Sequence, residues 1–224
     1  MTKSTEDYIK QIYNMQLSDK KVSNGKLAEI MKVKKPSVSE MVKKLSETGY
    51  IQNKPYHGFS LTIKGEQLAL DQIRKHRLIE YFLKYKLKYE WDEVHSEAEI
   101  IEHSVSDKFI YKLEKYLKFP KFDPHGAPIP DKNRNLIKIN SISLNCAEIN
   151  KYYFISSVDD KSEESLKFIS RTGIKLNSKI KVINKSSIDN SINIIFKRKI
   201  FEISKIIAEK IFVSPYQSNS SFKK

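Results

Sequence analysis

Two short runs of histidine and carboxylate residues have the types and spacing of metal ligands. One run is His76 with Glu80, and the other is His95 with Glu99, Glu102 and His103. On an α-helix, side chains three or four residues apart share one face, so the members of each run can converge. Imidazole and carboxylate groups are common ligands of divalent transition metals. The spacing therefore predicts a metal centre, as two adjacent sites or one shared site.

The apolar pattern around these runs predicts the helices that position them. A long amphipathic helix starting at Thr62 and running to about residue 87 carries the first run. After a break near residues 89–92, a second helix over about 92–105 carries the other run, and a third is capped by Ser106 and stops at Pro120. The apolar face of the long helix exceeds what a small domain needs, so we expect part of it to meet a second subunit.

The N-terminal part of the chain has the plan of a winged helix. A helix over about 4–17 is followed by two short helices from Ser23 and Lys34, and then by a hairpin with its turn over 55–58. In such a domain the second helix of the pair enters the major groove. Its polar face supplies the candidate DNA contacts, which are Lys34, Lys35, Pro36, Ser37, Ser39, Lys43 and Lys44. The lysines would contact phosphates, and the other three would lie near base edges.

Composition is consistent with a DNA-binding protein of a reducing compartment. The 224 residues include 41 Lys and Arg against 27 Asp and Glu, a formal net charge of +14. This excess favours a polyanionic partner, although a lysine-rich chain also fits a genomic bias. The single cysteine, Cys146, excludes an intramolecular disulfide. Without a signal-peptide core or an apolar run of about 18 residues, the sequence predicts a cytoplasmic protein with no membrane partner.

The C-terminal half changes from helical to β-branched patterning. A proline-rich segment over 118–135 reads as a linker, and its lone histidine, His125, is not assigned to the metal centre. Short alternating strands with one helix follow, which predicts a small β-barrel or sandwich. The fold class is therefore mainly α with a smaller β domain.

At several segments the chain resembles the diphtheria toxin repressor family of metal-dependent transcriptional regulators. The segments are TEDYIKQIY, KPSVSEMVKKL, LTIKGE, KHRLIE, VHSEAEIIEH and PHGAPIP, and the resemblance covers nearly the whole chain. It implies a winged-helix DNA-binding domain over 1–63 and a helical metal-binding and dimerisation domain over 64–119. A proline-rich linker over 120–141 and an SH3-like, FeoA-like β-barrel over 142–217 would complete the chain.

The resemblance also implies how the ligands divide between two sites. One site would take Asp7 from the first helix together with Glu99, Glu102 and His103. The neighbouring site would take His76, Glu80, His95 and an acidic residue of the C-terminal domain. Asp160 is the candidate for that last position, with Asp159 and Glu163 as rivals.

Departures from the family pattern indicate the metal. Where iron-responsive members have Met and Cys, this chain has Asp7 and Glu99. Hard oxygen ligands with one imidazole suit Mn²⁺ or Fe²⁺. The chain is therefore similar to the manganese-sensing branch of the family, and Mn²⁺ is the expected metal. Fe²⁺ is the alternative, and Zn²⁺ is expected to bind in vitro. Lys10 stands where short manganese regulators often have an acidic residue, which argues against a two-metal cluster sharing carboxylates of the first helix.

The resulting expectation is a homodimeric repressor without catalytic residues. Mn²⁺ would tie the first helix to the helix of Glu99, and two recognition helices would then meet half-sites of a palindromic operator, spaced by one or more turns of roughly 10 base pairs. Its targets would be manganese or iron uptake and homeostasis genes. One alternative is a winged-helix regulator that responds to an organic ligand, or to redox state through Cys146. Another is a metal-dependent hydrolase, for which the H-E-x-x-H order is missing.

Overall fold

The N-terminal part folds into three helices and a β-hairpin around one apolar core. The computed structural model describes residues 2–17, 22–54, 58–160 and 163–216. Helices α1 (Lys3–Leu17), α2 (Asn24–Met31) and α3 (Lys35–Glu47) precede strands β1 (Ile51–Lys54) and β2 (Gly58–Leu61), which pair antiparallel. Most of the predicted hairpin turn, residues 55–57, lies outside the described residues. The core includes Ile9, Ile12, Leu27 and Leu45.

Local sequence signals set the limits of the helix pair. The Ser23 hydroxyl accepts a hydrogen bond from the Lys26 amide and caps α2, while Pro36 lies in the first turn of α3. Gly49 follows α3 with a φ of 74°, in the left-handed region that glycine adopts without steric cost. The order predicted from the sequence, with a helix, a helix pair and a hairpin, is confirmed.

A long helix connects this domain to the candidate ligands. Helix α4 (Ile63–Phe82) follows β2 directly, capped by Thr62, and continues as a π-helical turn over Leu83–Leu87. Helices α5 (Val94–Ile101) and α6 (Asp107–Tyr116) follow the break. Helix α5 is shorter than predicted, because the Ser104 amide bonds to the Ile101 carbonyl in a tight turn. Glu102 and His103 therefore lie just beyond the end of α5.

The apolar face of α4 is largely covered within the chain. Leu78, Ile79 and Leu83 are buried in a core shared with α5 and α6. On α4 itself Ile63 is exposed, and the exposed large apolar side chains further along are Tyr85, Leu87, Ile100, Phe109, Tyr111 and Tyr116. Exposed apolar side chains available to a second subunit therefore lie on the π-helical turn, α5 and α6 as well as at the start of α4.

The proline-rich segment is packed rather than extended. Phe122 forms a β-bridge with Pro128, and His125 is fully buried. The Val158 amide donates to the His125 carbonyl, which ties the segment to the C-terminal domain. Gly126 has a φ of 89°, and a Cβ there would lie 2.2 Å from the Ser156 carbonyl oxygen. The proline-rich segment is thus packed over residues 122–130, whereas most of residues 131–140 are exposed.

The C-terminal domain is a single open sheet, so the predicted closed barrel is wrong. Its strands are β3 (Ile142–Ser143), β4 (Tyr152–Val158), β5 (Lys179–Lys185), β6 (Ile192–Phe196), β7 (Lys199–Ile203) and β8 (Ile211–Pro215). The order is β3-β8-β4-β5-β6-β7, and every neighbouring pair is antiparallel. Among the described residues, the edge strands β3 and β7 do not pair with each other. Helices α7 (Glu163–Thr172) and α8 (Lys205–Ala208) complete the domain.

Candidate metal centre

Four of the predicted ligands converge between α4, α5 and the end of β4. His76 and Glu80 lie one turn apart on α4, with His76 Nε2 3.0 Å from Glu80 Oε1. His95, in the first turn of α5, brings its Nδ1 to 3.1 Å from His76 Nε2. Asp160 Oδ2 is 3.7 Å from His95 Nδ1. One ligand atom from each of these four residues lies within 4.8 Å of the others, and we call them the second group.

The other four predicted ligands converge between α1 and the end of α5. Asp7 Oδ1 is 3.1 Å from His103 Nε2, and Glu102 Oε1 is 3.4 Å from the same nitrogen. Glu99 completes a set in which one ligand atom of each residue again lies within 4.8 Å of the others; we call it the first group. Because Asp7 lies on α1, this group spans the N-terminal part, which contains α1 to α3, and the helical part that contains α5.

The polar atoms of both groups fit a divalent cation. Asp7 Oδ1, His103 Nε2 and Glu80 Oε2 are buried, and within the described part of the chain none of them has a hydrogen-bond partner; the 3.1 Å approach of the first two atoms is not a hydrogen bond. Buried polar atoms normally have a partner, so such atoms need an explanation. The first group offers three carboxylates and one imidazole, and the second offers two of each. These donor sets suit Mn²⁺ or Fe²⁺.

Two contacts around the groups were not foreseen from the sequence. Glu6 Oε2 lies 2.8 Å from His103 Nδ1, so the Glu6 carboxylate accepts from one ring nitrogen and leaves Nε2 facing Asp7. In the same way, Glu102 Oε2 lies 2.6 Å from His76 Nδ1. A carboxylate on the far nitrogen is the usual device that orients a metal-binding histidine. The only signal for Glu6 in the sequence is its position beside Asp7.

A lysine lies among the carboxylates of the first group. Lys10 Nζ donates to Glu99 Oε1 at 2.7 Å and to Glu102 Oε1 at 2.8 Å. Burial raises the pKa of the Glu99 carboxyl, but Lys10 outweighs burial and lowers that pKa. Burial likewise raises the pKa of the Glu102 carboxyl, and there His76 and Lys10 together outweigh it, so the pKa is again lowered. Both carboxylates are therefore ionised and paired.

Burial and two carboxylates compete to set the protonation of His76. Burial lowers its pKa, but the Glu80 charge and hydrogen bonds to Glu102 and Glu80 outweigh burial and raise the pKa to about 10. The pKa of Glu80 falls well below its usual range, since the His76 charge and hydrogen bonds outweigh its burial. Metal ligation through His76 Nε2 therefore requires loss of a proton.

A second buried polar cluster lies beside the second group. His125 Nδ1 is 3.9 Å from Glu80 Oε1, and its Nε2 donates to the Trp91 carbonyl at 3.0 Å. Asp123 Oδ1 accepts from the His125 amide at 2.8 Å. Burial, reinforced by the Glu80 charge, raises the pKa of Asp123 to about 7 although Arg77 opposes the rise. The lone histidine is thus a buried neighbour of a candidate ligand.

The rivals for the Asp160 position are placed differently. Asp159 Oδ2 pairs with Lys210 Nζ at 2.9 Å, and no Asp159 atom belongs to the second group. The side chain of Glu163 lies outside the described residues. Of the two acids whose side chains the structure describes, Asp160 is the one in the second group with His95.

The candidate DNA contacts form one exposed surface at the start and along one face of α3. All seven are exposed: Lys34, Lys35, Pro36, Ser37, Ser39, Lys43 and Lys44. The Ser39 hydroxyl already accepts from the Asn24 side chain at 2.9 Å, which ties α3 to α2. Opposite this surface, Val38 and Leu45 are fully buried. Helix α3 therefore presents a basic, polar face to solvent.

Family models match almost the whole chain. Residues 1–59 match the iron dependent repressor N-terminal DNA binding domain, and residues 62–131 match the metal binding and dimerisation domain of the same repressors. Residues 142–215 match the FeoA domain.

Individual proteins show the same similarity. The iron-dependent repressor IdeR of Mycobacterium leprae (strain TN) is 33% identical over 127 residues, which cover 57% of this chain and 55% of that protein. The match thus spans about half the length of that relative. A structure of the manganese regulator SloR is 35% identical, with a TM-score of 0.82, and the match covers 96% of this chain and 100% of that chain. A manganese-dependent transcriptional repressor in complex with manganese is 31% identical, with a TM-score of 0.89 and coverage of 95% and 100%.

Proposed function

This chain belongs to the diphtheria toxin repressor family of metal-dependent transcriptional repressors, and we propose that it is a Mn²⁺-dependent repressor of manganese or iron uptake and homeostasis genes. It would act as a homodimer on a palindromic operator. Members of the family are repressors and not enzymes, so the hydrolase alternative is set aside. Within the described residues, no helix is long and apolar enough to span a membrane.

One observation carries the proposal: Asp7 of the DNA-binding part meets Glu102 and His103 of the helical part in the first group. Asp7, Glu99, Glu102 and His103 would hold one ion, and His76, Glu80, His95 and Asp160 a second. When bound, the cation supplies the positive charge that keeps these carboxylates and imidazoles together. Asp7 then fixes α1 relative to α5, and Glu6 holds the His103 ring in the orientation that this link needs.

The position of α1 determines the position of α3. Ile9 and Ile12 of α1 share one buried core with Leu27 of α2 and with Val38 and Leu45 of α3. Because packed interiors transmit small shifts, fixing α1 against α5 orients the recognition helix. In a dimer this orientation sets the spacing and angle of two recognition helices, and hence the affinity for the operator.

Two features support Mn²⁺ rather than a softer metal. The first group contains three carboxylates and one imidazole and no sulfur ligand, a set that suits Mn²⁺ or Fe²⁺. Two structural relatives are named for manganese, whereas IdeR is named for iron. Fe²⁺ therefore stays the alternative, and Zn²⁺ is expected to bind in vitro.

Dimerisation is supported by the family match and by exposed apolar side chains. Residues 62–131 match a domain described as metal binding and dimerising. Within that range Ile100, Phe109, Tyr111 and Tyr116 are 45–64% exposed. Apolar patches of this kind mark protein interfaces. We assign this surface to the contact between two copies of the chain.

The test is fluorescence anisotropy of the protein on its own upstream DNA, first in chelator and then across Mn²⁺, Fe²⁺ and Zn²⁺ titrations at fixed salt. We expect Mn²⁺ to raise DNA affinity many-fold in the wild type and not in Glu99→Ala. A matched control is Glu97→Ala, which removes a half-buried carboxylate of α5 outside both groups. Mn²⁺ affinity must also rise in the presence of operator by the same factor. Equally tight DNA binding in chelator would instead favour a regulator that senses a non-metal ligand.

A further inference from the structure

Lys10 places a positive charge of the chain itself inside the first group. Its ammonium lies 2.7 Å from Glu99 Oε1 and 2.8 Å from Glu102 Oε1, and its side chain is only 12% exposed. Each contact is a charge-assisted hydrogen bond, the stronger class of hydrogen bond in proteins. The pair of carboxylates is therefore neutralised in part without any external cation.

The oxygens that Lys10 binds are those that face the candidate centre. Glu102 Oε1 is also the oxygen that lies 3.4 Å from His103 Nε2. Glu99 Oε1 lies 3.9 Å from His95 Nε2 and 3.9 Å from His76 Nδ1, so it stands between the two groups. An ion ligated by these two oxygens would lie beside the ammonium that already holds them.

We propose that Lys10 is a tethered cation that competes with the metal for Glu99 and Glu102 and so sets the metal concentration at which the first group fills. The inference rests on the proposed function, because it takes the first group as the metal site. Two like charges on one carboxylate pair repel each other, so ligation of the ion requires the ammonium to move away. A cleft of about 230 Å³, lined by Lys10, Asn14, His95 and Asp160 among others, gives the side chain room to do so.

A lysine that competes with the metal also stabilises the metal-free protein, so its loss should have two opposite effects. Lys10 lies on α1 and its partners lie at α5, so in metal-free protein its ion pairs join the same two elements that Asp7 would join through the ion. Removing the ammonium leaves the buried Glu102 carboxylate less well paired and destabilises the metal-free fold. The same change frees two ligand oxygens. Stability without metal and affinity for metal should therefore move in opposite directions.

The experiment compares Lys10→Met with the wild type in the absence of DNA. The control is Lys108→Met, which removes an exposed lysine from α6. Mn²⁺ affinity is measured from the electron paramagnetic resonance signal of free Mn²⁺, and the thermal midpoint is measured in chelator. We expect Lys10→Met to bind Mn²⁺ at the first group at least tenfold more tightly while its midpoint in chelator falls. Lys108→Met should change neither quantity.

Unchanged or weaker Mn²⁺ binding by folded Lys10→Met would overturn the inference. Should that variant fail to fold, Lys10→Gln keeps a hydrogen-bond donor without the charge, and it too must bind Mn²⁺ more tightly than the wild type. If the wild type binds Mn²⁺ at the first group but no Lys10 variant binds it more tightly, the competition fails and the proposed function stands. If no protein binds Mn²⁺ there, both fail.

Discussion

His76 Nδ1 lies 2.6 Å from Glu102 Oε2, and this contact joins the two ligand groups. Both residues are buried, with exposures of 5% and 0%. Glu102 belongs to the first group, yet it orients the ring whose Nε2 faces Glu80 and His95 in the second. The Glu102 side chain therefore links the two groups, and a change in metal affinity at the first group is expected to change the metal affinity of the second.

Glu102→Gln should weaken metal binding at the second group as well as at the first. The amide lacks the negative charge that holds His76, and loss of such an outer carboxylate typically costs about 10- to 100-fold in metal affinity. Asp7→Asn is the control, since Asp7 belongs to the first group alone. A two-site calorimetric titration with Mn²⁺ separates the effects. If Glu102→Gln and Asp7→Asn bind Mn²⁺ equally tightly at the second group, Glu102 does not couple the two groups.

Glu6→Gln should weaken the first group although Glu6 is not one of its members. The Glu6 carboxylate accepts from His103 Nδ1 at 2.8 Å, and without its charge the ring is held less firmly. We expect a loss of about tenfold or more in Mn²⁺ affinity. Glu29→Gln, which changes an exposed carboxylate of α2, should leave the affinity as it is. The Mn²⁺ affinity of both variants is measured from the electron paramagnetic resonance signal of free Mn²⁺. A Glu6→Gln protein with the affinity of the wild type would refute the orienting role of Glu6.

Lysines of the α3 surface should contribute charge rather than sequence preference. In the dimer each substitution removes two phosphate contacts, so Lys35→Ala and Lys44→Ala should each reduce the slope of log affinity against log salt by about 1.8, or about 0.9 for each lost contact. Ser37→Ala should instead change the preference among operator variants with little change in slope. Lys175→Ala, at an exposed site of the β domain, is the control. Slopes that match the wild type in both lysine variants would move the DNA-binding surface away from α3.

Gly126 and Gly173 form a matched pair for testing how the proline-rich segment packs. Both have positive φ, but a Cβ on Gly126 would meet backbone at 2.2 Å, whereas none lies within 4 Å of one on Gly173. Gly173→Ala should cost about 1–2 kcal/mol from backbone conformation alone. Gly126→Ala should cost a further 1–3 kcal/mol or so from the clash. Urea unfolding measures the loss of unfolding free energy in both variants. Equal losses would mean that the backbone at Ser156 shifts to make room for the added methyl group.

Asp123 should make the metal-free protein less stable as pH rises from about 4 to 7. Its pKa is about 7 in the folded chain against 3.8 for the ordinary group, so between these values the folded state keeps a proton that the unfolded state releases. Stability then falls with rising pH, by at most about 1.4 kcal/mol per pH unit.

Asp123→Asn removes that dependence and keeps an oxygen for the His125 amide. Unfolding free energies in chelator at several pH values between 5 and 8 should show the wild type losing stability relative to this variant. Asp131→Asn, at an exposed acid of the same segment, should run parallel to the wild type over this range. A constant difference between wild type and Asp123→Asn would mean that Arg77 keeps the carboxyl ionised.

Helical spacing was enough to place two of the candidate ligands side by side. His76 and Glu80 follow from helical spacing alone. The approach of Asp7 to His103 does not, because helical spacing says nothing about contacts across 96 residues, and that expectation came from the family resemblance. Contacts such as Glu6 with His103 depend on how α1 packs against the helical domain. In the sequence, Glu6 is indistinguishable from any carboxylate that stabilises a helix N-terminus.

In the β domain, the strands were easier to predict than the turns and the closure of the sheet. Alternating apolar residues indicate strands, and β4, β5 and β6 alternate as expected. Lys197 and Arg198 join β6 to β7 with positive φ at both, where turns usually have Asn and Gly. Whether the first and last strands of a sheet meet depends on curvature, which short alternating runs do not encode.

The length of helix α4 would amplify a small tilt at the second group. The helix leaves the hairpin at Thr62 and reaches Glu80 without interruption, and its 20 residues span about 30 Å. His76 and Glu80, four residues apart, occupy about 6 Å of that length, so the mechanical gain is roughly fivefold. A tilt that moves the two side chains by about 0.5 Å relative to each other displaces the hairpin end by roughly 2.5 Å. That approaches the 3.4 Å rise between base pairs, so a sub-ångström adjustment at the metal centre would become a displacement on the scale of DNA.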